Sequence, residues 1–401
     1  MKYIVILGDG MADYPLDELG GKTPLQAAKK PNFDLMAQKG QLGLVKTIPD
    51  GQKPGSDNAN LSVLGYDPRI YYSGRSPLEA VSIGITLNED DVTYRCNLVT
   101  LSDADRYEDA VMVDYSSDEI STVEADELIQ YLSKHFSELG VELYTGVSYR
   151  HCMVLRDADT GTNLTPPHDI SGKQVGAYLP KEGNAQLLNY LMRESYKLLR
   201  EHPVNIKRVQ QGKRPATSVW FWGEGRKPAL SSFQEKYGKK GAVISAVDLI
   251  KGIAICAGMK SIDVPGATGN IDTNFAGKAQ AALDALAGGA DFVYVHIEAP
   301  DECGHRQEIG NKVRAIELID EKIAGPILAE MNKGQEEFAI MVLPDHPTPL
   351  ALRTHTAEPV PFLIYRRGGQ QGSGLPYDEA SAKSTGLFIN EGHQLLQYLF
   401  K

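Results

Sequence analysis

Three apolar runs of this 401-residue chain end in an acidic residue, and the acids are where chemistry would concentrate. Tyr3-Ile-Val-Ile-Leu-Gly leads into Asp9. Phe292-Val-Tyr-Val-His-Ile-Glu-Ala-Pro leads into Asp301, with His305 four residues on. Phe338-Ala-Ile-Met-Val-Leu-Pro leads into Asp345-His346, and His355 follows nine residues later. Carboxylates brought together are electrostatically costly unless positive charge lies between them. Divalent cations are the economical counter-charge, and six such ligands exceed what one catalytic ion needs, so two ions are expected. Taken singly, Asp-x-x-x-His is an ordinary polar helix start, and Asp9 between Gly8 and Gly10 an ordinary tight turn. Their shared position after apolar runs favours ligation, and His355 counts only in their company.

Ser56, in Gly55-Ser-Asp-Asn-Ala-Asn, is the candidate nucleophile. Its bland role is the N-cap of a helix over Asn58–Leu64. The two roles are compatible, because a hydroxyl at a helix N-terminus feels the positive end of the dipole and a bound metal would lower its pKa further. An alkoxide formed in this way is suited to attack phosphorus.

The elements that must position these residues follow from the runs themselves. Short β-branched stretches without alternation read as strands buried on both faces of a parallel sheet, whose carboxyl ends form the ligand crevice. The first stretch, 1–86, reads as strand, Gly-rich loop and a helix over Pro24–Lys39. From 207 onward strands (Ser218–Trp222 among them) and helices alternate again, implying βαβ units with helices on both faces. Between them, 87–206 has a different texture. The metal-ligand candidates avoid it, so a core domain of 1–86 with 207–401, split by an inserted domain of 87–206, is expected. Arg366–Leu375 reads as a mobile Gly/Gln loop.

Composition narrows the class. Hydrophobic residues make up 42% and charged residues 23%, as in ordinary soluble globular proteins. The net charge of −11 argues against nucleic acid or an anionic membrane as partner, though not against a small anionic substrate. The four scattered cysteines fit a reduced, cytoplasmic protein. Gly21-Lys22-Thr23 fails as a P-loop because Leu16 stands where the first glycine must be. Arg75, Arg95, Arg150 and Arg214 fall in loops or at strand ends, with His151 beside Arg150. Each alone is an ordinary surface ion-pair residue, but several flanking an acidic metal site suggest a clamped anion.

In order and spacing these motifs resemble the alkaline phosphatase superfamily. More narrowly they resemble the archaeal-type branch of cofactor-independent (2,3-bisphosphoglycerate-independent) phosphoglycerate mutase. The matching pieces run from Gly8-Asp-Gly-Met-Ala-Asp through Gly55-Ser-Asp-Asn-Ala, Ser73-Gly-Arg-Ser-Pro-Leu-Glu-Ala, Arg95-Cys-Asn-Leu-Val-Thr and Arg150-His. They continue through Pro265-Gly-Ala-Thr-Gly, Asp301-Glu-Cys-Gly-His and Asp345-His-Pro-Thr-Pro to His355-Thr-Ala-Glu-Pro, nearly the whole chain. The resemblance implies an α/β fold: an alkaline phosphatase-like core of mostly parallel sheet plus a smaller inserted α+β domain. It implies one ion on Asp301, His305 and His355, and another on Asp9, Asp345 and His346 joined by the nucleophile Ser56. It further implies that Arg95, Arg150 and His151 of the insertion, with Arg75, grip the substrate. Mixed carboxylate and imidazole ligation suits Mn or Zn more than Mg; the resemblance implies any of the three, Mn foremost.

The implied reaction interconverts 3-phosphoglycerate and 2-phosphoglycerate through a phosphoserine, with the second domain closing to keep water out. One departure is Ser218-Val-Trp-Phe-Trp-Gly-Glu-Gly, whose aromatic character resembles a subgroup proposed to act on homoserine. A homoserine kinase-like phosphotransferase on the same scaffold is therefore the alternative.

Overall fold

The computed structural model describes residues 1–368 and 372–401. Residues 369–371, part of the stretch expected to be a Gly/Gln loop, lie outside the described residues. Thirteen strands run along the described chain: β1 (Lys2–Gly8), β2 (Gln41–Val45), β3 (Val92–Leu101), β4 (Met112–Asp114), β5 (Val141–Val147), β6 (Arg150–Leu155) and β7 (Ser218–Arg226), then β8 (Gly241–Ile244), β9 (Lys260–Ile262), β10 (Phe292–Ile297), β11 (Phe338–Leu343), β12 (Val360–Arg366) and β13 (Phe388–Ile389). They build two sheets, one in each of two compact units: Met1–Tyr72 with Ala229–Lys401, and Ser73–Pro228.

The first unit holds an eight-stranded sheet in the order β13-β2-β12-β11-β1-β10-β8-β9. Only β12 runs against the rest. The all-apolar runs of β1, β10 and β11 are its three adjacent central strands, buried along nearly their whole length. Alternation splits their side chains between two faces. Ile4, Ile6, Val293, Val295, Ile340 and Val342 pack with the helices Pro31–Lys39, Phe275–Ala287, Ile309–Ile319 and Gly325–Lys333. The opposite face is covered by the helices Ser56–Val63, Asp248–Cys256 and Leu395–Leu399. This is the expected mostly parallel α/β core with helices on both faces. The register pairs Gly8 with Ile297 and Leu7 with Leu343, so the three strands end in line. That alignment carries Asp9, Asp301 and Asp345 to one rim.

Two expectations shift. The helix expected over Pro24–Lys39 is two, Pro24–Ala27 and Pro31–Lys39, because Pro31 disfavours a helical Lys30. Thr23, the end of the failed P-loop motif, caps the first of them through a capping box. The second shift concerns the insertion, which spans Ser73–Pro228 and not 87–206. Ser218–Trp222 is not a core strand: it belongs to β7, which pairs antiparallel with β3 from Val99↔Ser218 to Val92↔Arg226. The helix Ser76–Ser82 packs on β3 and β7, drawing Arg75 into the second unit as well.

The second unit is α+β. β3 is its hub, pairing antiparallel with β4, β6 and β7, and β5 follows on β6. The helices Thr122–Phe136 and Ala185–Arg200 cover one face, over Tyr94, Cys96, Leu98, Met153, Val219 and Phe221. All four cysteines are free. Among the described residues, no helix is long and apolar enough to cross a membrane.

Candidate active site

Asp9 follows β1 directly and is 1% exposed. Beside it Gly10 has φ +61 and its N–H donates to Asp345 Oδ1 (3.1 Å). A Cβ there would meet Thr348 Oγ1 at 2.5 Å and Asp301 Oδ1 at 2.8 Å, so both the conformation and the crowding require glycine. Gly10 thus lets three segments distant in sequence converge on one point.

The acids and imidazoles form a continuous cluster. Asp9, Asp345 and His346 offer ligand atoms within 4.8 Å of one another, and Asp301, His346 and His355 do the same. His305 Nε2 lies 3.2 Å from Asp301 Oδ2 and 2.9 Å from His355 Nε2. All six expected ligands are therefore brought together, with His346 common to both groups. Thr348 Oγ1 donates its one proton to Asp301 Oδ1, so toward His346 Nδ1 (3.3 Å) it must accept. That leaves the His346 Nε2 lone pair facing Asp9 Oδ1 and Asp345 Oδ2, each at 3.5 Å. Lone pairs aimed at one another are a cation's coordination set.

The electrostatics agree. Burial first, then the carboxylates of Asp345, Asp301 and Glu298, push the Asp9 carboxyl well above its ordinary range. Its Oδ1 is buried without a hydrogen-bond partner among the described residues. Burial also opposes ionisation of Asp301, but its hydrogen bonds to His305 and His355 outweigh that and hold it well below the usual range. The same bond to Asp301 raises His305 to about 9, whereas burial lowers His346. Both observations, the orphaned oxygen and the crowded donor set, fit divalent cations.

Ser56 is the first residue of the helix Ser56–Val63, with Gly55 as N-cap and no side-chain cap. Its hydroxyl is not spent on capping: it lies 3.3 Å from Asp9 Oδ2 and 3.2 Å from His346 Nε2. One turn on, Asn60 Nδ2 binds Asp345 Oδ2 (2.9 Å) and the Ser56 carbonyl (2.8 Å), tying the helix to the acid rim.

Four residues of this site escape a reading of the runs by their ends. His296, within β10, sets its Nε2 3.0 Å from Asp9 Oδ2 and its Nδ1 3.2 Å from Ser245 Oγ. An ionised carboxylate only accepts, so the His296 Nε2–H donates to Asp9 and the bare Nδ1 accepts from the Ser245 hydroxyl, whose oxygen also takes the Val247 N–H. Burial lowers His296 to about 3, which keeps it neutral. A histidine inside an otherwise apolar strand was the available signal. Asn60 and Thr348 gave none. Lys312, fully buried, donates to Asp13 Oδ2 (2.7 Å) and the Thr348 carbonyl (2.8 Å), while Asp13 accepts from Leu350 N–H. This buried pair pins the 346–350 segment.

The expected anion ligands separate into groups, all within the second unit. Arg75 Nε and Arg95 Nε donate to the two oxygens of Glu79, at 3.0 and 2.9 Å. Arg150 pairs with Asn97 in the sheet, and its charge is felt at Arg95. His151 instead shares the helix-covered face with Cys96, since neighbouring strand residues point opposite ways. It is 5% exposed, burial lowers it to about 3, and its Nε2 has no partner among the described residues. Arg214 binds Asp114 Oδ2 (3.0 Å) and Asp118 Oδ1 (3.7 Å) at the surface. The structure therefore assembles Arg75, Arg95 and Arg150, and parts them from His151 and Arg214.

A parallel α/β core whose strand ends gather acids, imidazoles and a serine hydroxyl defines a hydrolase- or phosphotransferase-type site. Comparison with known proteins narrows it. A family profile for 2,3-bisphosphoglycerate-independent phosphoglycerate mutase matches residues 37–205. The mutase of that name from Methanothrix thermoacetophila is 50% identical over 399 residues, covering 100% of this chain and 99% of that protein. Its namesake from Methanosarcina acetivorans is 50% identical over 403 residues, covering 100% of each. Among solved structures, the PH0037 protein of Pyrococcus horikoshii superposes with a TM-score of 0.84 at 31% identity, over 99% of this chain and 96% of that one. The cofactor-independent phosphoglycerate mutase of Thermoplasma acidophilum superposes with a TM-score of 0.70 at 28% identity, over 100% and 99%. The chain belongs to the 2,3-bisphosphoglycerate-independent phosphoglycerate mutase family and is an isomerase of the intramolecular phosphotransferase kind.

Proposed function

We propose that this enzyme interconverts 3-phosphoglycerate and 2-phosphoglycerate through a phosphoserine on Ser56. The observation that carries the reading is the Ser56 hydroxyl, uncommitted to capping and directed at Asp9 and His346. Asp301, His305 and His355 would hold one divalent cation, and Asp9, Asp345 and His346 with Ser56 a second. When bound, the pair would lower the serine pKa and neutralise phosphoryl charge, with Mn the first expectation and Zn or Mg the others.

Ser56 Oγ gives up its proton and attacks phosphorus, its bond to phosphorus forming as the ester bond to glycerate breaks, and the departing oxygen takes up a proton in exchange. Arg75, Arg95 and Arg150 keep the glycerate by its carboxylate. Its other hydroxyl then attacks phosphoserine, losing its proton as Ser56 is released. His296 holds the Asp9 carboxylate in one orientation through both halves, and Asn60 does so for Asp345. No cofactor beyond the metal ions enters, and the partner is a small phosphorylated acid.

Ser56→Ala is the test. Mutase turnover should fall by at least about 10⁴-fold, as when a lone nucleophile is removed, with the metal content unchanged. Near-normal turnover in that variant rejects the relay. A parallel assay with homoserine and ATP bears on the aromatic segment: turnover there and none with 3-phosphoglycerate would replace the substrate while keeping the nucleophile.

A further inference from the structure

We propose that Trp222 is a positioning residue that, with Glu79, holds the free edge of the Arg95 guanidinium ready for the substrate carboxylate. This rests on the reading of Arg95 as a substrate ligand. The indole belongs to the aromatic segment Trp220-Phe-Trp222, for which the mutase reaction by itself gives no use.

The Arg95 guanidinium is held on two sides. Its Nε donates to Glu79 Oε2 at 2.9 Å. Its π face lies against Trp222, with Cζ 4.1 Å from the ring centroid, well within cation–π range. Among the described residues its two terminal nitrogens make no hydrogen bond. Those two N–H groups form the planar fork that matches a carboxylate. Stacking, with the bond at Nε, immobilises the guanidinium while leaving that edge unused.

The indole is itself anchored at both ends. Its Nε1–H donates to Asn97 Oδ1 at 2.9 Å, and Asn97 Nδ2 in turn binds the Tyr115 carbonyl at 3.1 Å. His168 packs edge-on against it, ring centroids 5.3 Å apart at 77°. Alternation places Arg95, Asn97 and Trp222 on the same side of β3 and β7. The charge balance points the same way. Arg75 and Arg95 share the Glu79 carboxylate, and the charges of Arg75 and Arg150 are both felt at Arg95, a gathering of like charge suited to an anion. A flexible arginine ordered during folding need not be ordered on binding, so the arrangement acts on affinity before it acts on chemistry.

The test uses the full chain with its metal ions. Trp222→Leu keeps an apolar side chain but removes the π face, and should raise the KM for 3-phosphoglycerate about tenfold with kcat held within about threefold. Trp222→Phe should recover most of the loss. Arg95→Lys keeps the charge but not the fork; adding Trp222→Leu to it should cost little more, because the residue being positioned is already gone. Unchanged KM in Trp222→Leu, or a fall in kcat alone, overturns the proposal. Should Trp222→Leu fail to fold, Glu79→Gln probes the same guanidinium from its other side, and an unchanged KM there overturns it equally. Binding of 3-phosphoglycerate to Ser56→Ala protein, with and without Trp222→Leu, separates this from the relay. Equal affinities sink the positioning role whatever Ser56 does, and an active Ser56→Ala variant sinks the relay whatever Trp222 does.

Discussion

At the rim of the eight-stranded sheet, Asp9, Asp301 and Asp345 are buried together among histidines, and one carboxylate oxygen has no partner among the described residues. On the second unit, Arg75 and Arg95 share the carboxylate of Glu79, with the charge of Arg150 felt at Arg95. In the first region acids crowd one another; in the second, arginines do. The rim is assembled from strand ends that a rigid sheet holds in line, and its acids are fixed by backbone N–H groups, Asn60 and His296. The arginine patch instead fixes long side chains by stacking and by sharing one acid. A site for small, hard cations needs donors that do not move; a site for a planar anion needs forks that keep an edge free.

The rim is the more sensitive of the two regions. Asp345→Asn removes a donor that three hydrogen bonds hold in place, and should lower metal affinity and turnover by more than about 100-fold, read by metal titration and mutase assay. His296→Leu keeps every proposed ligand and should weaken metal affinity by about 10- to 100-fold; full affinity would show that Asp9 needs no support from behind. On the arginine side, Arg95→Ala should raise KM by up to about 100-fold, the range for a hydrogen bond to a charged group, with metal content unaffected.

Lys312→Ala removes support from beneath the rim. Lys312 and Asp13 are both at 0% side-chain exposure, so removing one strands the other's charge, at a cost of about 3–5 kcal/mol in chemical denaturation. Arg214→Ala is expected to do least. It breaks a surface pair worth under about 1 kcal/mol and should leave KM within about threefold; a larger KM change would return Arg214 to the anion patch.

How much of this was legible varied with distance along the chain. Apolar runs without alternation marked β1, β10 and β11 as central strands, because burial on both faces leaves polar residues no place until the strand ends. For the same reason the acids terminating those runs could be read as rim residues before any fold was known. Ser56 was legible as a candidate but not as a choice, since capping and nucleophilic roles ask for the same residue. Only the direction of its hydroxyl, toward Asp9 and away from its own helix, separates them. Ser218–Trp222 was read as a core strand because strand propensity does not say which sheet a strand will join.

The sequence alone, then, determined what sits at the ends of its buried strands, because hydrophobic burial is a local property of side chains. Tertiary structure decided which ends meet, that His296 donates to Asp9, and that Arg150 and His151 point opposite ways. It also decided that Trp222 covers Arg95. Each of those depends on register and alternation between segments far apart in the chain, and pairing energies between such segments exist only once the sheets have formed.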